Sequence, residues 1–317
     1  MKLALSFAVL AALLAPASTA QVPPPAGDWQ LVWSDEFEAP KLDRAKWSFD
    51  VDCWGGGNAE RQCYTDSKRN AAIERGMLVI TALRQRSEGP ALPKSQRQAS
   101  GLANQTATRE FSSARLTTRG KAAWRYGRFE MRARLPQGQG TWPAFWMLPE
   151  SDRYGAWAAS GEIDILEAVN LGVPCAKCVG LREDTVLGTI HFGAKWPHNT
   201  FASTEIHAPQ VLEGFHTYAV EWQPGQITWL LDGKVYATKR ASDWSTTGSK
   251  VPGAPFDQPF HLILNLAIGG HLPEERGLRG VALGDFPKRY EIDWVRVWQK
   301  PATAANGGAT QPGRGNQ

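Results

Sequence analysis

The chain has 317 residues, 42% hydrophobic and 21% charged, with a formal net charge of +4. Losing Lys2 with a leader would leave 34 − 31 = +3, an excess too small and dispersed for a nucleic-acid footprint. No apolar run is long enough to span a bilayer. At the start, Lys2, the apolar stretch "LALSFAVLAALLA" and "STA" before Gln21 read as a secretory signal over residues 1–20. The expected product is therefore exported, outside the cell or in the periplasm, and free of membrane. "QVPPPAGD" (21–28) reads as an extended leader, residues 29–300 as one folded domain, and residues 301–317, rich in Gly, Ala and Asn, as a disordered tail.

Within 29–300, short segments alternate apolar and polar residues with a period of two. "GRFEMRARL" is the clearest, with Phe129, Met131, Ala133 and Leu135 on one side and Arg128, Glu130, Arg132 and Arg134 on the other. "LVWSDEF", "GMLVITALR", "SARLTTRG", "VLGTIHFG", "FHTYAVEWQ", "QITWLLDGKVYAT", "FHLILNLAIGG" and "RYEIDWVRVWQ" are also strand-like. Pro224–Gly225 and Asp232–Gly233 mark turns between them. Many short strands without a long helical period predict an all-β sandwich or barrel. Residues 85–108 are polar and predict a mobile loop.

Four cysteines in an exported chain point to disulfides, and three pairings are open. Cys53–Cys63 with Cys175–Cys178 is the favoured pairing, each bridge stapling a loop. A zinc site is the rival, but the 53/63 spacing lacks a short knuckle. Of the 14 tryptophans, Trp294 and Trp298 read as core. Trp124, Trp142, Trp146, Trp157 and Trp196 flank an acidic stretch, and Trp142 and Trp146, four apart, could share a sheet face and stack on sugars.

That stretch is "GEIDILEAVN", with Glu162, Asp164 and Glu167 among apolar neighbours. On a regular strand 162 and 164 share a face and 167 points away. One extra residue, a β-bulge near Leu166, would return Glu167 to the others. Three acids on one face repel, which raises at least one pKa. A retaining glycosidase needs this combination of one ionised carboxylate and one proton-bearing carboxyl. A solvated strand edge and a calcium site made by the three acids are the alternatives.

"GEIDILEAVN" resembles the E-x-D-x-x-E motif of glycoside hydrolase family 16, in the laminarinase-like form with the inserted residue. "LVWSDEFEAPKLDRAKW", "WGGGNAERQCYT" and "SARLTTRGKAAWRYGRFEMRARLPQGQGTWPAFWMLP" resemble further family segments in order, as do "GTIHFG", "FHTYAVEW", "FHLILNLAIGG" and "EIDWVRVWQ". The resemblance spans about residues 29–299. It implies a concanavalin-like β-jelly roll, two antiparallel sheets with a concave substrate cleft, and retaining hydrolysis of β-1,3-glucan or mixed-linkage glucan; no segment argues for an oligomer, so a monomer is expected. By position, Glu162 would be the nucleophile, Asp164 its partner and Glu167 the acid/base. Asn58, Arg115, Trp142, Trp146 and His191 would line the cleft. Catalysis would need no cofactor. A structural calcium near Glu36, Gly76 and Asp293 would be held largely by backbone carbonyls. A same-fold enzyme acting on agarose or carrageenan, a transglycosylase and a non-catalytic glucan-binding protein remain the competing readings.

Overall fold

A computed structural model describes residues 25–97, 101, 104–276 and 279–301. The expected signal at 1–20 and all but the first residue of the expected tail lie outside these. Two antiparallel sheets form the body. The seven-stranded sheet runs Thr200–His207, Thr185–Phe192, Glu162–Glu167, Thr141–Pro149, Phe260–Ile268, Arg115–Thr117 and Ser48–Asp50. The eight-stranded sheet is built around Gly127–Arg134 and Lys288–Gln299, with Gln30–Asp35 added alongside the latter. Strands from both ends of the chain thus meet in one sheet. Among the described residues no helix is long and apolar enough to cross a membrane.

Alternation sends one face of each sheet inward. Phe129, Met131 and Ala133 enter the core from one sheet, and Phe145, Met147, Leu262 and Leu264 from the other. The polar face of Gly127–Arg134 is not simply solvated. Arg128 and Glu130 are buried with it, joined to each other and to Glu221 by guanidinium–carboxylate bonds of 2.6 and 2.8 Å. The two turn dipeptides close two-residue hairpins, Gln223 pairing with Gln226 and Leu231 with Lys234. Asp232 and Gly233 both take positive φ (49° and 74°), the backbone that such hairpins require.

Trp294 and Trp298 are buried, as the sequence reading expects, while the inter-sheet cluster takes Ile292, Val295 and Val297 from the same strand. The Arg296 guanidinium covers Trp294 at 4.1 Å. The polar segment 85–108 is not only a loop, because Ser87–Pro90 and Thr106–Arg109 pair as an antiparallel ribbon.

The Glu162–Glu167 strand is gripped from beneath. Trp229, in the opposite sheet, donates its indole N–H to the Asp164 carbonyl at 2.8 Å. Its ring fills the space over Gly188, where a Cβ would lie 2.3 Å from the indole. Only glycine admits the tryptophan, and the tryptophan fixes the height of the acidic strand.

Candidate active site

From Asp164 to Glu167 the acidic strand advances three residues. Its neighbours advance only two, from Trp146 to Ala144 on one side and from Thr189 to Leu187 on the other. Ile165 and Leu166 are the consecutive pair that absorbs the difference, and both side chains enter the core. The bulge therefore puts Glu162, Asp164 and Glu167 together on the outer face. They line one cleft with Asn58, Arg115, Trp142, Trp146 and Asn265.

The pairing registers lay side chains in rows across this face. One row runs Arg115, Asn265, Ala144, Glu167, Leu187, Glu205, and another runs Glu162, His191, Phe201. His191 Nε2 lies 3.3 Å from Asp164 Oδ2 and 3.8 Å from Glu162 Oε1. Burial opposes an imidazolium there, but Asp164 and the charges of Glu162 and Glu167 outweigh it and push His191 up to about 9. Burial, then the charges of Glu162 and Glu167, hold Asp164 well above the usual carboxylate range. Glu167 is also raised, by burial and by Glu162, against the opposing pull of His191, the Trp142 N–H and Arg276. The cluster thus retains protons that exposed carboxylates would shed at neutral pH.

Each glutamate has its own indole. Trp157 donates to Glu162 Oε2 at 2.5 Å, and Trp142 donates to Glu167 Oε1 at 3.0 Å. Trp142 is consequently a buried wall, not the open stacking platform expected of it. Trp146 donates to Asn265 Oδ1 at 2.6 Å and carries the Arg115 guanidinium 4.7 Å over its ring. Arg115 itself pairs with Asp50 at 3.0 Å. Trp157, 37% exposed and 5.6 Å from the His191 ring, is the open indole beside the acids.

The opposite wall comes from the Gly-rich loop. Gly55, Gly56 and Gly57 all have positive φ, and a Cβ on Gly56 would lie 2.0 Å from Glu60 Oε1. This coil lets Glu60 accept from Gln62 at 2.7 Å, Tyr64 at 3.2 Å and Asn58 at 3.4 Å. Tyr64 in turn accepts from Asn265 at 3.0 Å. The network reaches from Asn58 to Trp146 through side chains alone. A disulfide between Cys53 and Cys63 closes the base of the loop, and a second joins Cys175 and Cys178. A bridge of this kind is typically worth about 2–4 kcal/mol. Glu60, Tyr64, Asn265 and Trp157 were not singled out as site residues from sequence, although the first two stand in the "NAERQCYT" segment that carries the resemblance.

Glu162, Asp164 and His191 converge within 4.8 Å, but an imidazole drawn toward its cationic form is a poor neighbour for calcium, which takes oxygen. At the expected calcium position, both Glu36 oxygens accept from Arg296 at 2.9 and 3.0 Å, and Asp293 is bound by Arg132. Both carboxylates are thus engaged by arginines, and a calcium near Glu36, Gly76 and Asp293 would rest on backbone carbonyls, as the sequence reading expects.

The sequence profile described as Glycosyl hydrolases family 16 matches residues 87–296. A beta-glucanase of Rhodothermus marinus is 41% identical over 286 residues, covering 86% of this chain and 85% of the relative. The glucan endo-1,3-beta-glucosidase A1 of Niallia circulans is 38% identical over 282 residues. That match covers 85% of this chain, which spans 38% of the relative's length. The X-ray structure of the laminarinase from Rhodothermus marinus superposes with a TM-score of 0.69 at 40% identity, covering 86% of this chain and 97% of that one.

Proposed function

Because the chain belongs to glycosyl hydrolase family 16, we propose that it hydrolyses β-1,3-linked glucan internally and with retention. Mixed β-1,3-1,4-glucan is the secondary substrate. The observation that carries this reading is the bulge that turns Glu167 back beside Glu162 at the floor of an indole-walled cleft. Glu162, oriented by the Trp157 N–H and facing cationic His191, attacks the anomeric carbon as a carboxylate. Glu167, whose proton is held by burial, gives it to the departing glycosidic oxygen. The glycosyl–Glu162 ester is then hydrolysed by water that Glu167 deprotonates. Asp164, on the same face between the two glutamates and 3.3 Å from His191 Nε2, helps set the charge of the cluster, its own carboxyl held above the usual range by burial.

These steps need only this chain's own side chains, and the family's hydrolysis needs no cofactor. We further place the protein outside the cytoplasm, on its signal-like first residues, acting as a monomer on polymeric glucan. A reducing-sugar assay on laminarin, lichenan, agarose and xyloglucan tests the substrate reading. Laminarin is expected to be cut fastest, with short oligosaccharides accumulating from the start. Activity confined to agarose, or release of glucose alone, would overturn it.

A further inference from the structure

The enclosed part of the cleft lies to one side of the acids. Its walls are the acidic strand itself, Trp142, Trp146 and Asn265 on the next two strands, and Asn58 and Glu60 of the Gly-rich loop. On the other side of the acids the same sheet continues for two more strands, Thr185–Phe192 and the edge strand Thr200–His207.

Alternation on that edge strand is regular. Ala202 and Ile206 pack on the core, while Ser203, Glu205 and His207 are exposed on the outer face. Phe201 belongs to the outer set and is 62% exposed. A phenyl ring in a polar row at a sheet edge adds nothing to the core and invites edge association. Its place calls for a reason, and its neighbours supply one. The register sets Phe201 opposite His191 and His191 opposite Glu162. The rings of Trp157, His191 and Phe201 follow one another at centroid spacings of 5.6 and 5.8 Å. Strands are about 4.8 Å apart, so the Phe201 backbone lies roughly 10 Å from that of Glu162. That is within reach of a sugar beside the bond that Glu162 attacks.

We propose that Phe201 is a substrate-binding residue, the platform on which a glucose unit of the leaving half of the chain stacks. The inference deepens the proposed glucan hydrolysis and rests on it. A polymer cut internally must be held on both sides of the cleaved bond. The half esterified to Glu162 stays through both displacements, and the walled side, rich in hydrogen-bonding groups, suits it. The other half must depart and admit water, which suits the open side. β-Linked glucose carries its hydroxyls around the ring edge and presents C–H groups on its faces, which pack on an aromatic ring. Phe201 is steadied by strand pairing and by the His191 ring, and most of its surface remains free for a sugar.

The test compares two substrates in the wild type, Phe201→Ala and Phe201→Trp, beside a thermal melt of each. Laminarihexaose has sugars on both sides of the cleaved bond. β-Laminaribiosyl fluoride has a single atom as its leaving group, and so offers Phe201 nothing to hold. Phe201→Ala is expected to lower kcat/KM on the hexaose by about two- to tenfold. Its thermal midpoint and its hydrolysis of the fluoride should match the wild type. Phe201→Trp should restore the rate on the hexaose. Equal losses on both substrates would mean that Phe201 acts by packing His191 beside the acids, and would overturn its role as a sugar platform. An unchanged rate on the hexaose would overturn it as well. A wild type that cleaves neither substrate would remove the β-1,3-glucan reading, and this proposal with it.

Discussion

Glu162→Gln is expected to lower turnover of laminarin by about 10⁴-fold or more while leaving a folded protein that still binds laminari-oligosaccharides. The amide cannot form the glycosyl ester, so the first displacement has no nucleophile. Its shape is nearly unchanged, and its carbonyl can still accept the Trp157 N–H that Glu162 accepts now. The fold should not suffer. The Glu162 charge is one of the causes that push Asp164 and Glu167 upward, so its removal relieves repulsion inside the cluster. Calorimetric titration with oligosaccharide, beside a thermal melt, checks both parts. Loss of binding together with activity would make Glu162 a structural acid.

The second large effect is expected at Glu167. Replacement by alanine removes the proton donor, and rates on natural glucan should fall by about 10²–10⁴-fold. With an aryl β-glycoside whose leaving group needs no proton, the first step should survive. The stalled glycosyl enzyme should then be released by added azide as a β-glycosyl azide. The pH profile carries a further sign. In the wild type, burial and the Glu162 charge hold the Glu167 proton above the ordinary glutamate range. Activity is therefore present while Glu167 is protonated and declines as pH rises through its folded pKa. Glu167→Ala should lose this alkaline limb. Steady-state rates with activated and unactivated substrates across pH measure it, and equal losses on both substrates would contradict the acid/base role.

How much of this was legible in the sequence depended on whether a feature is local. The turns at Pro224–Gly225 and Asp232–Gly233 need only their own backbone chemistry, and they lie where that chemistry puts them. The bulge was legible because three acids at uneven spacing are costly unless something turns one of them. The Ser87–Pro90 and Thr106–Arg109 ribbon was not, since its alternation is among polar residues and has no hydrophobic period. Trp157 was visible near the motif, but its approach to Glu162 depends on a chain that doubles back through Ala158 and Gly161, both at positive φ. The Glu36–Arg296 pair was hidden for a similar reason. Glu36 lies 260 residues from Arg296 in sequence and beside it in the fold.

The Glu60–Tyr64–Asn265–Trp146 chain belongs to the same class. Its bonded neighbours Tyr64 and Asn265 are 201 residues apart, and no periodicity connects them. Arg115 lines the cleft as the resemblance implies, and it also serves a second partner. It pairs with Asp50 as a surface arginine would, and the same guanidinium lies on the Trp146 ring inside the cleft.

In the mechanism proposed, Glu162 and Glu167 act on one glycosidic bond from one bulged strand, by double displacement. Proton NMR of the first product released from laminarin, recorded before mutarotation, tests it most directly. The β-anomer is expected at the new reducing end, with the α-anomer growing in later. An α-anomer released first would mean single displacement by water, and would contradict the assignment of Glu162 as nucleophile.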